Sequence, residues 1–229
     1  MGGWRIASLG STWPMYNIAT PVSGETVQLD RLRSAFPGGG YRVWVRDGMA
    51  AAEEELLSAG FRLQLDLPAF VRDLSAAGPA PDARSAGAAA GYGAGRAQSR
   101  KDIEECVWGD RISLWLDVAV RAAFPDPWQV AREANRRFYQ ARYGDRLVAT
   151  GQSLVHQGVA GVYAIWTAEP HRSRGLASEL LRLICADAAA AGATHATLQA
   201  EPGRLLYTRA GFKRQYRYRV YGEKDDGHA

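Results

Sequence analysis

Alternating and helically spaced apolar residues divide the chain into strand–helix units. Trp4 to Leu9 and Met15 to Ala19 are short strand-like runs separated by a Thr-Trp-Pro turn. Val27, Leu29, Leu32 and Phe36 supply the apolar face of a helix over residues 26–36, which Pro37-Gly-Gly-Gly ends. Tyr41 to Val45 alternates as a strand, Ala50 to Ala59 reads as a helix stopped by Gly60, and Phe61 to Leu67 alternates again. In the second half, Ile103 to Trp108 reads as a strand. Helices are expected over Ile112–Phe124, broken by Pro125-Asp-Pro, and over Trp128–Arg137. Phe138–Tyr143, Leu147–Val155 and Val159–Thr167 are three successive antiparallel strands with turns at Gly144-Asp145 and Gln157-Gly158. Ala177, Leu180, Leu181, Ile184 and Ala188 then recur at helical spacing, before a strand over Thr194–Gln199 and a short helix near residues 204–210. In the final strand Tyr216, Tyr218 and Val220 alternate with Arg217 and Arg219.

The densest chemical signal is where the strand Val162–Thr167 meets the helix after Gly175. A strand, a tight basic turn and a helix start aim free backbone N–H groups and the positive helix end at one point, an anion site suited to phosphate. Gly175 lets the backbone come close to a ligand, Ala177 is small enough not to block it, and Arg172 and Arg174 add charged donors.

Composition narrows the class. At 229 residues with 47% hydrophobic content the chain can bury a core, and a net charge of +4 suits an anionic ligand without demanding nucleic acid. Cys106 and Cys185 make no metal or disulfide pattern, and His156, His171 and His195 have no metal spacing. No secretory segment and no long apolar run is present, so a soluble cytoplasmic protein is expected, with no membrane partner. Residues 75–99, rich in Ala, Gly, Ser and Pro, read as a linker that is flexible over at least part of its length.

The spacing Arg172-x-x-Gly175-x-Ala177 resembles the acyl-CoA pyrophosphate loop of the GNAT superfamily of N-acetyltransferases. The strand exit Thr167-x-x-Pro170-His171-Arg172, the small-residue helix end Ala188–Gly192 leading to the Thr194 strand, and Leu206-Tyr207…Gly211-Phe212 are similar to that family in the same order. The resemblance spans residues 105–222. It implies an α/β (α+β) fold: a mixed, mostly antiparallel sheet flanked by helices. It also implies acetyl-CoA or another acyl-CoA as co-substrate, no metal, and transfer of an acyl group, expected to be acetyl, to a primary amine of a small molecule.

On this resemblance Ile165, Trp166, Thr167, Arg172, Ser173, Arg174, Gly175, Leu176 and Ala177 hold the co-substrate. Backbone N–H groups of the strand Val162–Thr167 polarise the thioester carbonyl. Tyr207 is at the family's proton-donor position; an ordinary phenol, with a pKa near ~10, is protonated at neutral pH and can give its proton to a thiolate. Glu201 is the candidate base, with Glu104, Glu105 or a water chain as alternatives. Ala200 replaces the asparagine often found seven residues before the tyrosine, so one hydrogen bond to the pantetheine arm is missing or comes from elsewhere. Trp108, Trp115, Trp128, Tyr139, Tyr163 and Trp166 are candidates to line an acceptor pocket, or belong to the core. Two other classes compete: a non-catalytic acyl-CoA sensor, and an acetyltransferase acting on a protein or carrier-bound amine. The basic strand Lys213–Arg219 reads more simply as a half-exposed strand than as a nucleic-acid surface. A monomer or homodimer is expected.

The first half repeats the second. An ungapped shift lays Ala59-Gly60-Phe61 on Ala210-Gly211-Phe212, Tyr41–Val45 on the stretch that opens the Thr194 strand, and Gly24 on Gly175. Pro21 then stands at Arg172, Thr26 at Ala177 and Leu56 at Tyr207, groups that cannot do the same chemistry. Residues 1–74 therefore read as a degenerate partial copy, 75–99 as the linker, and 100–229 as the catalytic domain.

Overall fold

The computed structural model of the chain describes residues 4–8, 17–22, 29–36, 40–75, 91–108, 135–200 and 205–223. In chain order the elements are β1 (Trp4–Ser8), β2 (Asn17–Pro21), α1 (Leu29–Ala35), β3 (Arg42–Arg46), α2 (Ala50–Ser58), β4 (Arg62–Asp73), β5 (Tyr92–Arg96), α3 (Arg100–Trp108), β6 (Arg136–Tyr143), β7 (Arg146–His156), β8 (Val159–Thr167), α4 (Leu176–Ala190), β9 (His195–Gln199), α5 (Leu205–Arg209) and β10 (Lys213–Gly222). The ten strands among the described residues join one mixed, mostly antiparallel sheet in the order β1-β2-β3-β10-β4-β9-β8-β7-β6-β5. The predicted α/β class holds.

Read outward from the β10/β4 pair, the two sides of the sheet match. On one side β10, β3, β2 and β1 succeed each other antiparallel, parallel and antiparallel; on the other β4, β9, β8 and β7 do the same. The helix ends match bond for bond. Ala59, Gly60 and Phe61 N–H donate to the carbonyls of Glu55, Leu57 and Leu56, as Ala210, Gly211 and Phe212 donate to those of Leu206, Thr208 and Tyr207. Gly60 and Gly211 both take the left-handed conformation, with φ of 91° and 83°, which lets each helix stop and turn its phenylalanine inward.

Each side borrows a strand from the other. β10 lies between β3 and β4, and β4 lies between β10 and β9. Tyr221 of β10 is therefore buried with Val43, Val45, Leu56 and Phe61, while Phe70 of β4 and Leu74 just after it are buried with Leu180, Ile184, Leu198 and Phe212. Ion pairs of Arg217 with Asp66 and Arg219 with Glu53 bind the exchanged strand β10 to the first half. Residues 1–74 and 100–229 are thus interleaved, not juxtaposed, an arrangement that local sequence pattern does not record.

Three elements differ from expectation. Residues 103–108 are helical, in α3, and not a strand. The Ser99 hydroxyl accepts from Asp102 N–H at 3.0 Å and donates to its carboxylate at 2.7 Å, a capping arrangement that also holds the Asp102 carboxyl below its usual range. Ile103 and Cys106, three apart, then face one small core with Ala97 and Phe138. The strand expected there lies earlier, inside the supposed linker: β5 pairs with β6 from Tyr92↔Tyr143 to Arg96↔Tyr139. Its Gly and Ala residues bury little themselves, and the pairing and the adjacent α4 supply the burial. Arg136 and Arg137 begin β6 and do not end a helix. The helix expected over 112–124, and the rest of the one over 128–137, lie outside the described residues, as do 76–90.

Candidate active site

Strands β8 and β9 run parallel only from Val159↔His195 to Gly161↔Thr197. Beyond that they part, because β8 carries a bulge. Ala164 and Ile165 stand against the single residue Gly151 of β7, and Ala164 takes φ of 51°. The Thr150 hydroxyl donates to the Ala164 carbonyl at 3.3 Å and holds the kink. Gly151 is required by this packing: a Cβ there would lie 2.8 Å from Ile165 Cδ1. The result is a cleft of about 150 Å³ lined by Val162, Tyr163, Ala164, Ile165, Leu198, Gln199 and Tyr207.

Tyr207 enters this cleft from α5. It is buried, with its ring 6.2 Å from that of Phe70 and 6.4 Å from that of Phe212. Phe70 comes from the borrowed strand β4, so the first half of the chain forms one wall behind the tyrosine. Ala200 N–H, at the departure from the family pattern, donates to Pro68 O at 3.2 Å, also on β4.

Past β8 the chain makes a single helical turn, Glu169–His171, and then the basic loop. Gly175 caps α4 with φ of 78° and no side chain closes the cap, so the first-turn N–H groups of Leu176, Ala177 and Ser178 have no partner within the helix. A Cβ placed on Gly175 would meet nothing within 4 Å. The loop therefore offers donors around open space, a fit to a phosphate-bearing ligand. Arg172, Ser173 and Arg174 are exposed. Arg172 Nε donates to Thr167 O at 3.2 Å, tying the loop to the end of β8, while the buried Thr167 hydroxyl has no partner. Leu176 is core, and Trp166 and Ile165 pack half-buried against the same core.

The strand within the supposed linker reaches this loop. Tyr92 Oη and His171 Nδ1 share a hydrogen bond at 2.9 Å, the Arg174 guanidinium lies 5.9 Å from the Tyr92 ring centre, and Tyr143 packs 4.9 Å from Tyr92. Tyr92 was missed because nothing in its Gly-Ala surroundings points to a site; only the pairing with β6 places it. His171, one of the histidines without metal spacing, is held by this tyrosine.

Glu201 lies outside the described residues. Glu104 is paired with Arg100 at 2.7 Å and Glu105 with Arg142, both on α3 and not on a strand. Of the aromatic candidates, Tyr139 belongs to the core. Burial pushes its hydroxyl up to about 12, and it donates to Asp187 at 3.1 Å. Tyr163 lines the cleft, half exposed. The side chains of Trp108, Trp115 and Trp128 are outside the description. Among the described residues no cluster of His, Cys, Asp and Glu could hold a metal, and no helix is long and apolar enough to cross a membrane.

Residues 100–212 match the model of the acetyltransferase (GNAT) family, and the domain they form belongs to it. Solved structures share the fold over nearly the whole chain. A GCN5-related N-acetyltransferase from Kribbella flavida has a TM-score of 0.65 at 18% identity, covering 97% of this chain and 90% of its own. A putative GNAT-family acetyltransferase from Novosphingobium aromaticivorans has a TM-score of 0.60 at 20% identity, covering 98% and 90%. A tandem GNAT protein from the clavulanic acid biosynthesis pathway has 0.57 at 12%, covering 89% and 74%. No curated protein matches the sequence. The family's chemistry is acyl transfer, with acetyl-CoA as its usual donor.

The glycine of the loop gives a direct expectation. Gly175→Val forces a β-branched residue to a φ of 78° and fills the open space. Affinity for CoA by isothermal titration is expected to fall at least about 10-fold, close to the loss of a single charge-assisted hydrogen bond at its lower bound. Unchanged affinity would remove this loop as the phosphate site.

Proposed function

We propose that the chain transfers an acyl group, acetyl by preference, from acyl-CoA to a primary amine of a small molecule, with Tyr207 as general acid. The observation that supports this is Tyr207 in the cleft at the Ala164 bulge, within the same buried core as Leu176 at the start of α4. The loop from Arg172 to Ala177 holds the pyrophosphate, and the cleft takes the thioester end. The amine nitrogen attacks the thioester carbon, the C–S bond breaks, and the departing sulfur takes the Tyr207 proton, which solvent restores. Backbone N–H groups near the bulge receive the oxyanion. The amine sheds its own proton to a water chain or to Glu201.

A small-molecule acceptor is favoured over nucleic acid because Arg217 and Arg219 of the basic strand are engaged by Asp66 and Glu53. The first half is proposed to be a degenerate copy that supports the second, since its counterpart of Tyr207 is the core residue Leu56. Binding stoichiometry tests this assignment of roles. One acetyl-CoA per chain is expected by titration calorimetry, lost in Gly175→Val; two per chain would show the first half to be competent, and none would end the reading.

A further inference from the structure

The sheet face turned away from α4 and α5 carries a cluster that the transfer chemistry does not use. Phe70 packs against Tyr207 on the helix side, so its neighbour Ala69 points to the other side. Ala69 is paired directly with Gln199 of β9 and with Tyr216 of β10, and directly paired residues share a face. Gln199 lines the cleft. Gln199 at the cleft and Tyr216 thus lie in one row across the sheet, on the same face, with the buried Ala69 between them.

Around Tyr216 the residues are aromatic and cationic. Tyr216 and Tyr218 meet edge to face at 5.4 Å, Trp44 meets Tyr218 at 5.5 Å, and the Arg46 guanidinium lies 5.9 Å from the Tyr216 ring centre. Burial raises the Tyr218 pKa, and Arg46 and Arg5 both lie close enough to act against that rise. The contrast with the other face is one of charge. There Arg217 and Arg219 are paired with carboxylates, whereas among the described residues no carboxylate pairs with Arg46 or Arg5. The Trp44 indole N–H also has no acceptor. A guanidinium over an aromatic ring, with no carboxylate paired to it among the described residues, suits a carboxylate attached to an apolar or aromatic body.

We propose that Arg46, Arg5, Tyr216, Tyr218 and Trp44 bind the far end of the acceptor, and that the acceptor is an elongated amine with an aromatic body ending in a carboxylate. This rests on the transfer reading, which puts the amine at the cleft. Tyr216 is two strands from Gln199 and Arg46 is three, so with strands ~4.8 Å apart the amine and carboxylate are separated by roughly 10–14 Å. A free α-amino acid cannot reach both ends. An extended tripeptide, at up to ~3.6 Å per residue, can.

The probes are glycylglycylphenylalanine and its C-terminal amide, used with the full chain. Acetyl transfer is expected to favour the acid by about 10-fold or more in kcat/KM, the effect of a charge-assisted hydrogen bond. Arg46→Gln should abolish the preference through KM for the peptide and leave KM for acetyl-CoA unchanged; Arg46→Lys should restore part of it. Equal rates for acid and amide in the wild type, or an equal loss for both in Arg46→Gln, would overturn the site. Titrating both peptides into the protein without acetyl-CoA separates the two readings. Preferential binding of the acid that depends on Arg46, without turnover, keeps the site and removes the transferase. Turnover without preference keeps the transferase and removes the site.

Discussion

Tyr207→Phe is expected to lower kcat on the order of 10²-fold, with KM for acetyl-CoA little changed. As the C–S bond breaks, negative charge collects on sulfur in a cleft walled by Val162, Ile165 and Leu198. A hydroxyl there stabilises that charge more than it stabilises the thioester, so its loss appears in kcat. The ring remains, and with it the packing at 6.2 Å on Phe70 and 6.4 Å on Phe212, so the melting temperature is expected to be nearly preserved. Tyr207→Ala should lose stability as well as rate. If Phe supports more than about half the wild-type rate with chemistry rate-limiting, Tyr207 is a packing residue and the acid lies elsewhere.

Removing the first half is expected to do more. A chain beginning at Ser99 lacks β4 and β5, and with them Phe70, Leu74 and Tyr92 of the catalytic core. At about 1.5–3 kcal/mol for each large buried side chain the loss is roughly 5–9 kcal/mol, comparable with the whole stability of an ordinary domain. β9 would also lose its partner β4 and become an exposed edge, and β10 would lose both of its partners, β3 and β4, an invitation to aggregate. The truncated protein is expected to be insoluble or unfolded by circular dichroism, with no CoA binding. A soluble, monomeric and fully active fragment would contradict the interleaved arrangement.

What the sequence disclosed was whatever is contiguous. Strand, basic turn and helix start follow one another from Val162 to Ala190, so periodicity and Gly175 suffice to locate the loop. Tyr207 was legible for the same reason, carried on a short Leu-Tyr…Gly-Phe pattern. Its neighbour Phe70 lies more than a hundred residues earlier and reaches it only because β4 and β10 are exchanged. Tyr92 was hidden by composition: Gly93 and Gly95 are poor strand formers, and β5 exists through its pairing with β6. The misreading of residues 103–108 is of another kind. The signal was present in Ser99-Arg-Lys-Asp102, a helix cap, and an apolar run outweighed it.

The most direct measurement of the central claim is release of free thiol from acetyl-CoA by the full-length protein against a broad panel of primary amines. At least one amine is expected to accelerate release well above hydrolysis, with N-acetylated product formed mole for mole and the rate largely lost in Tyr207→Phe and in Gly175→Val. Binding of one acetyl-CoA per chain with no amine raising thiol release above hydrolysis would contradict that claim and leave a protein that holds the thioester without using it.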